Sequence, residues 1–161
     1  MALSAQLTVP MVPVPMTMQT FAVLLAGAVL GPWRGAAAVL LYLALAAIGL
    51  PVLSDGASGL APFTGTTAGY LFAFPVAAAL VGFAVRRKSD PRWAGEMIAM
   101  ISAHLFILSV GALWLSTRVG LSDAVDTGLT PFMPGMVVKS ALVVAVAAVC
   151  RRWVKSEEVS T

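Results

Sequence analysis

Three ionisable residues interrupt the last two of five long apolar runs: Glu96, His104 and Lys139. A charge or an imidazole at membrane depth is expensive to keep, so each is a functional candidate by default. Lys139 is the most informative. It follows Phe132 by seven positions, about 10 Å along a helix from the outer end of its run, and a lysine at mid-helix costs ~2.5 to 3.5 kcal/mol on the insertion scale. One reading is snorkelling, in which the long stem lifts the ammonium back to the interface. The other is a cation set in a cavity open to the outside, awaiting an anionic group such as a carboxylate. The Gly- and Thr-rich stretch from Gly56 to Tyr70 would supply polar groups and backbone amides to the same mouth, unless it is simply a flexible loop. Glu96 stands four residues after Arg92, the spacing of an interfacial ion pair on one helix face. His104 lies near the middle of its run, where a neutral imidazole can hydrogen-bond a neighbouring helix. With no second histidine and no carboxylate at ligand spacing, a metal site has little support.

Enzyme signatures are missing from the same inventory. There is no acidic pair within an apolar run to hold magnesium and a diphosphate, no phosphate-cradling Gly-rich loop with its lysine, and no Ser, His and Asp set beyond scattered singles. The chain therefore reads as a non-enzyme that needs no cofactor. Uphill transport would require a partner or an ion gradient. Two alternatives stay open. A membrane-integral enzyme acting on a lipid or isoprenoid would need His104 and Glu96 to converge, and a non-transporting assembly subunit would have no open cavity around Lys139.

The elements that must position these residues follow from composition. Of 161 residues, 60% are hydrophobic and 11% are charged, against about 25% charged in an ordinary soluble domain. The apolar residues come as Ala-, Leu- and Val-rich runs rather than amphipathic stripes, the pattern of helices solvated by lipid. The fold expected is all-α, a polytopic membrane bundle in one domain spanning residues 1–161, with segments near 16–30, 35–53, 66–85, 93–115 and 132–150. Most approach the ~20 residues needed to cross ~30 Å of hydrocarbon. The first is weakest, because Pro10, Pro13 and Pro15 precede it. Such an entry is tolerable only where neighbours cover its irregular backbone or it lines a cavity. Stretches such as Ala36 to Ala38 and Ala77 to Ala79 read as close helix contacts. The lone Cys150 reads as a packing residue.

Loop charges set an orientation. Arg34, then Arg86, Arg87, Lys88 and Arg92, then Arg151, Arg152 and Lys155 fall in alternate connections, which the positive-inside rule places in the cytoplasm with the carboxy terminus. The remaining connections hold Asp55, Asp123 and Asp126 with only Arg118, and face outward. This placement accounts for the formal charge of +3 better than a nucleic-acid partner does. The first basic residue is Arg34, so the opening lacks the positive flank of a signal peptide. Five crossings put Met1 outside. Either that is the arrangement, or a sixth helix lies upstream, with Ala2 to Val12 as its outer end.

Several motifs, taken together, resemble one family. Val14-Pro15-Met16-Thr17-Met18-Gln19-Thr20, Leu24-Leu25-Ala26-Gly27, and Leu30-Gly31-Pro32-Trp33-Arg34-Gly35 open the pattern. Tyr42, Gly49-Leu50-Pro51-Val52, Gly65 with Thr67-Ala68-Gly69-Tyr70, His104, Trp114-Leu115, and Pro131-Phe132-Met133-Pro134-Gly135 leading to Lys139 continue it in order. The chain resembles the biotin-specific substrate-capture subunits, or S components, of energy-coupling-factor transporters, the BioY family. That resemblance implies a six-helix bundle in a prokaryotic plasma membrane with a vitamin pocket near the outer face. It also implies coupling to a transmembrane scaffold subunit and two ATPases. Self-association stays open. It further implies biotin as ligand, with Lys139 pairing its carboxylate, Tyr42 and Tyr70 packing on its rings, and Thr67, Gly69 and Gln19 offering hydrogen bonds near the mouth. The sequence departs from the family pattern at Met136, where the family has an aspartate three residues before the lysine, and at Thr66 and Ala68. Met136 cannot accept a ureido hydrogen bond as a carboxylate would, which leaves a related small anionic ligand as the alternative.

Overall fold

A computed structural model describes residues 1–86 and 93–159, with side chains described through residue 151. Arg87, Lys88 and Arg92 of the charge pattern lie outside the described residues, as do the side chains of Arg152 and Lys155. A one-turn helix, α1 (Ala2–Ala5), leads into a two-stranded antiparallel hairpin of β1 (Thr8–Val9) and β2 (Met16–Thr17). Then come α2 (Gln19–Leu30), α3 (Pro32–Ala47), a 3₁₀ turn (Ser54–Gly56), α4 (Ala61–Thr64), α5 (Ala68–Arg86), α6 (Trp93–Val119), α7 (Leu121–Gly128), a second 3₁₀ turn (Thr130–Phe132) and α8 (Met133–Val159).

Helix α5 is the spine of the bundle, packing against α2, α3 and α6, while α8 packs against α2 and α6. The buried face draws on every long helix, with Val23, Leu24, Val39, Val81, Met100, Ile107 and Val143 fully enclosed. The opposite faces carry exposed Leu40, Phe72, Leu80, Ile98, Leu113 and Leu142. In water such a surface would be intolerable; in lipid it is the outer wall of the bundle. Helices α5 and α6 and the stretch Leu121–Arg151 are long and apolar enough to cross a membrane. The chain is a helical membrane protein.

Where lipid removes the hydrophobic drive between helices, close approach takes over. At Gly111 of α6 a Cβ would lie inside the ring of Tyr70, and at Gly69 of α5 it would overlap the Trp114 side chain, so these two glycines let α5 and α6 come together.

Two expectations about the amino-terminal half are corrected. The first apolar segment becomes helical only at Gln19, because Met16 and Thr17 pair with β1 instead. The stretch from Ala2 to Val12 is helical only over Ala2–Ala5 before it turns into the hairpin. The prolines account for the second result, since they exclude a continuous helix through residues 10–15 and push the residue before each to extended backbone, while the late start of α2 follows from the pairing of Met16 and Thr17 with β1. The second segment also stops early. Its helix ends at Ala47, short of the expected boundary at residue 53, at a turn closed by Gly49 with φ of 105°.

Candidate ligand site

A cavity of about 390 Å³ lies where the hairpin, the 53–67 connection and helices α2, α5, α6 and α8 meet. That volume suits a small organic molecule. Its wall is largely apolar, with Val14, Leu71, Phe74, Leu108, Phe132 and Met136 contributing. The Pro-rich entry lines it through Val14 and Pro15, which is how irregular backbone is accommodated at this depth.

The connection at the mouth is not a free loop. Thr66 Oγ1 donates to the Pro13 carbonyl at 3.2 Å and Thr67 Oγ1 to that of Pro62 at 3.4 Å. Trp114 Nε1 donates to Gly65 O at 2.9 Å and Arg118 Nη2 to Thr64 O at 2.7 Å, tying the connection to α6. From the other side, Gln6 Nε2 reaches Leu53 O at 3.0 Å and Thr8 Oγ1 reaches Asp55 Oδ1 at 3.0 Å, tying it to the hairpin.

Lys139 lines the cavity from α8 and is only 8% exposed. Its ammonium donates to the Thr17 carbonyl at 2.6 Å, and among the described residues it makes no ion pair. It has not snorkelled to solvent. An ammonium has three donors, and one carbonyl meets one of them. The cavity also touches Asp55, but that carboxylate is exposed at the rim, where water screens it, whereas the lysine is enclosed. The cavity thus presents a buried cation without a buried counter-ion. Met136, one turn before Ser140, faces the same space as Lys139, so the departure at that position falls on the cavity wall.

The remaining expected site residues divide. Gln19, Thr67 and Tyr70 line the cavity. Tyr42 and Gly69 are not among the lining residues. Tyr42 stands behind Gln19: its hydroxyl accepts from Gln19 Nε2 at 2.6 Å and donates to Val52 O at 2.9 Å. Thr17 Oγ1 completes the chain by donating to Gln19 Oε1 at 3.1 Å. Tyr42 is therefore placed to hold Gln19. Gly69 faces Trp114, a packing position. Tyr70 presents its ring to the cavity while its hydroxyl donates to Gly128 O at 2.7 Å, and the ring lies 6.4 Å from that of Phe132.

His104 was expected to bond a neighbouring helix, and it does so through Ser140 of α8, with Nδ1 and Oγ 3.0 Å apart. It also lines the cavity, which the sequence reading did not anticipate. Thr20 is a second unanticipated lining residue, with a buried hydroxyl. The available signal was its polarity inside an apolar run, one turn from Thr17.

Glu96 has a partner on another helix, which its spacing to Arg92 did not imply. Arg151 Nη2, from the far end of α8, contacts both carboxylate oxygens at 2.9 Å. Arg92 lies outside the described residues. Glu96 does not line the cavity, so it and His104 do not converge on a shared site as the enzyme reading required. The assembly-subunit reading fails likewise, since Lys139 has a cavity around it.

A model of the BioY family matches residues 1–156. The chain belongs to the BioY family. Among its relatives, the probable biotin transporter BioY of Pyrococcus horikoshii is 36% identical over 146 residues, covering 91% of this chain and 86% of its own. The biotin transporter BioY of Rhodobacter capsulatus is 42% identical over 147 residues, covering 81% of this chain and 77% of its own. A solved structure, the crystal structure at 2.1 Å of the S-component for biotin from an ECF-type ABC transporter, matches this BioY-family chain with a TM-score of 0.85. The identity is 32%, over 94% of this chain and 84% of that one.

Proposed function

We propose that this protein is the membrane-embedded biotin-capture subunit of an energy-coupling-factor transporter. The observation that carries the reading is Lys139, a buried ammonium without an ion-pair partner among the described residues, in the wall of a largely apolar cavity. Biotin offers the complement: a carboxylate on an aliphatic chain and a compact bicyclic ring. The carboxylate pairs with Lys139 and the rings pack against Tyr70, Phe74 and Phe132. Gln19 and Thr67 supply polar edges, and Tyr42 keeps Gln19 in place. Exclusion of water from the enclosed site strengthens the charge pair. No bond in the ligand is broken. The names carried by the relatives support transport over catalysis.

The chain sits in the plasma membrane of a prokaryote with the mouth of the cavity outward and the carboxy terminus in the cytoplasm, as the loop charges imply. Its partners are a transmembrane scaffold subunit and ATPases working from the inner side. Equilibrium binding of labelled biotin to the purified chain, against other water-soluble vitamins, tests the reading. Biotin should bind in preference, and Lys139→Ala should lose about 100-fold or more in affinity, the scale of truncating one partner of a buried charge pair. A Lys139→Ala protein that binds like the parent would remove the lysine from the site, and a parent chain that ignores biotin would overturn the assignment.

A further inference from the structure

Most polar side chains around the cavity already have partners within the protein. Thr17 and Gln19 bond each other and Tyr42, Thr66 and Thr67 bond backbone carbonyls, and Tyr70 bonds Gly128 O. Lys139 can only donate. Two lining residues differ. His104 Nε2 and Thr20 Oγ1 are buried and have no hydrogen-bond partner among the described residues. Buried polar atoms in native proteins are nearly always satisfied, so an exception in a cavity wall points to a ligand group.

The environment of His104 specifies what its free nitrogen offers. Nδ1 lies 3.2 Å from the Met100 carbonyl oxygen and 3.0 Å from Ser140 Oγ. A carbonyl oxygen can only accept, so the proton belongs on Nδ1, where Ser140 Oγ can share it. The ring is 2% exposed and, among the described residues, no carboxylate pairs with it, so a second proton would bury an unpaired charge. Nε2 therefore carries a lone pair, buried and unpartnered among the described residues, on a ring that lines the cavity. A carboxylate has no proton to give it at neutral pH. A ureido ring has two N–H donors and a carbonyl.

We propose that His104 Nε2 is the acceptor for a ureido N–H of the bound vitamin, held in that tautomer by Met100 O and Ser140. Thr20 Oγ1, which can donate or accept, is the second free polar contact for the same ring. The ligand is thereby read at two points, by charge at Lys139 and by hydrogen-bond polarity at His104. This inference rests on the biotin reading, and its test separates the two.

His104 is the only histidine in these 161 residues, so ¹⁵N-histidine labelling of this chain gives a single imidazole to follow by NMR. Before biotin is added, Nδ1 should carry the proton and Nε2 the lone pair. At saturation the Nε2 resonance should move in the direction of hydrogen-bond acceptance while Nδ1 stays protonated. In parallel binding measurements His104→Leu should lose about tenfold in affinity, whereas His104→Gln, whose amide oxygen can stand near Nε2, should stay within about threefold. A protonated Nε2 in the free protein, or an Nε2 signal unmoved while biotin binds normally, overturns the role of His104 and leaves biotin capture standing. Failure of the parent chain to bind biotin overturns capture and this assignment with it. Should His104→Leu fail to fold, the NMR measurement on the native sequence decides.

Discussion

The two buried charges on α8's packing partners and on α8 itself make opposite cases. At one end of the bundle Glu96 is 4% exposed and fully engaged by Arg151, which is 33% exposed. At the other, Lys139 is 8% exposed and, among the described residues, bonds the Thr17 carbonyl alone. Both charges cost desolvation. The first recovers it within the chain by tying the start of α6 to the end of α8; the second does not, and the cavity beside it is where the missing anion fits. A buried charge with its partner present describes the fold, whereas one without it describes a ligand.

This contrast can be broken in four places, ordered by expected effect. Lys139→Met should abolish measurable biotin binding, a loss of at least about 100-fold, while raising the thermal midpoint in detergent by the equivalent of about 1 kcal/mol, because an isolated buried cation is replaced by an apolar side chain of similar length. A midpoint that falls instead would mean the lysine supports the fold. Gly111→Ala, which puts a methyl into the Tyr70 ring, should cost about 1 to 3 kcal/mol of stability and weaken binding by displacing that ring; unchanged melting would contradict the close α5–α6 approach. Glu96→Gln removes the ion pair where Arg151 is a third exposed, so we expect only about 1 to 2 kcal/mol of destabilisation and biotin affinity within about threefold of the parent. Binding lost in step with Lys139→Met would end the distinction between the two ends. Tyr42→Phe removes the hydroxyl between Gln19 and Val52 O; about 1 kcal/mol of stability and a two- to fivefold loss in affinity are expected from isothermal titration and melting curves, and a larger loss of affinity would move Tyr42 into direct contact with ligand.

The sequence was most legible where a single chemical rule governed a long stretch. Long apolar runs became α5, α6 and α8, with starts within two residues of those expected and α8 continuing past residue 150 to Val159. It was least legible at the amino terminus, where three prolines signalled only that the helix must fail and not that the chain would pair Thr8–Val9 with Met16–Thr17. Among site residues, Lys139 could be singled out because a charge in an apolar run has few explanations. Tyr42 and Gly69 were grouped with the ligand by resemblance, yet which face of a uniformly apolar helix turns inward is not written in its periodicity. The first holds Gln19, and the second admits Trp114.

By itself, then, the sequence determined the solvent, the helices and the residue that must answer for a charge, because each follows from transfer energies that one segment alone experiences. The tertiary structure decided partners. Glu96 gained Arg151 from the far end of another helix, and His104 gained both Ser140 and a place in the cavity wall. Those outcomes depend on which faces of α6 and α8 meet, and on the close approach of α5 and α6 at Gly69 and Gly111. Pairings between helices distant in sequence are properties of packing, and no local pattern carries them.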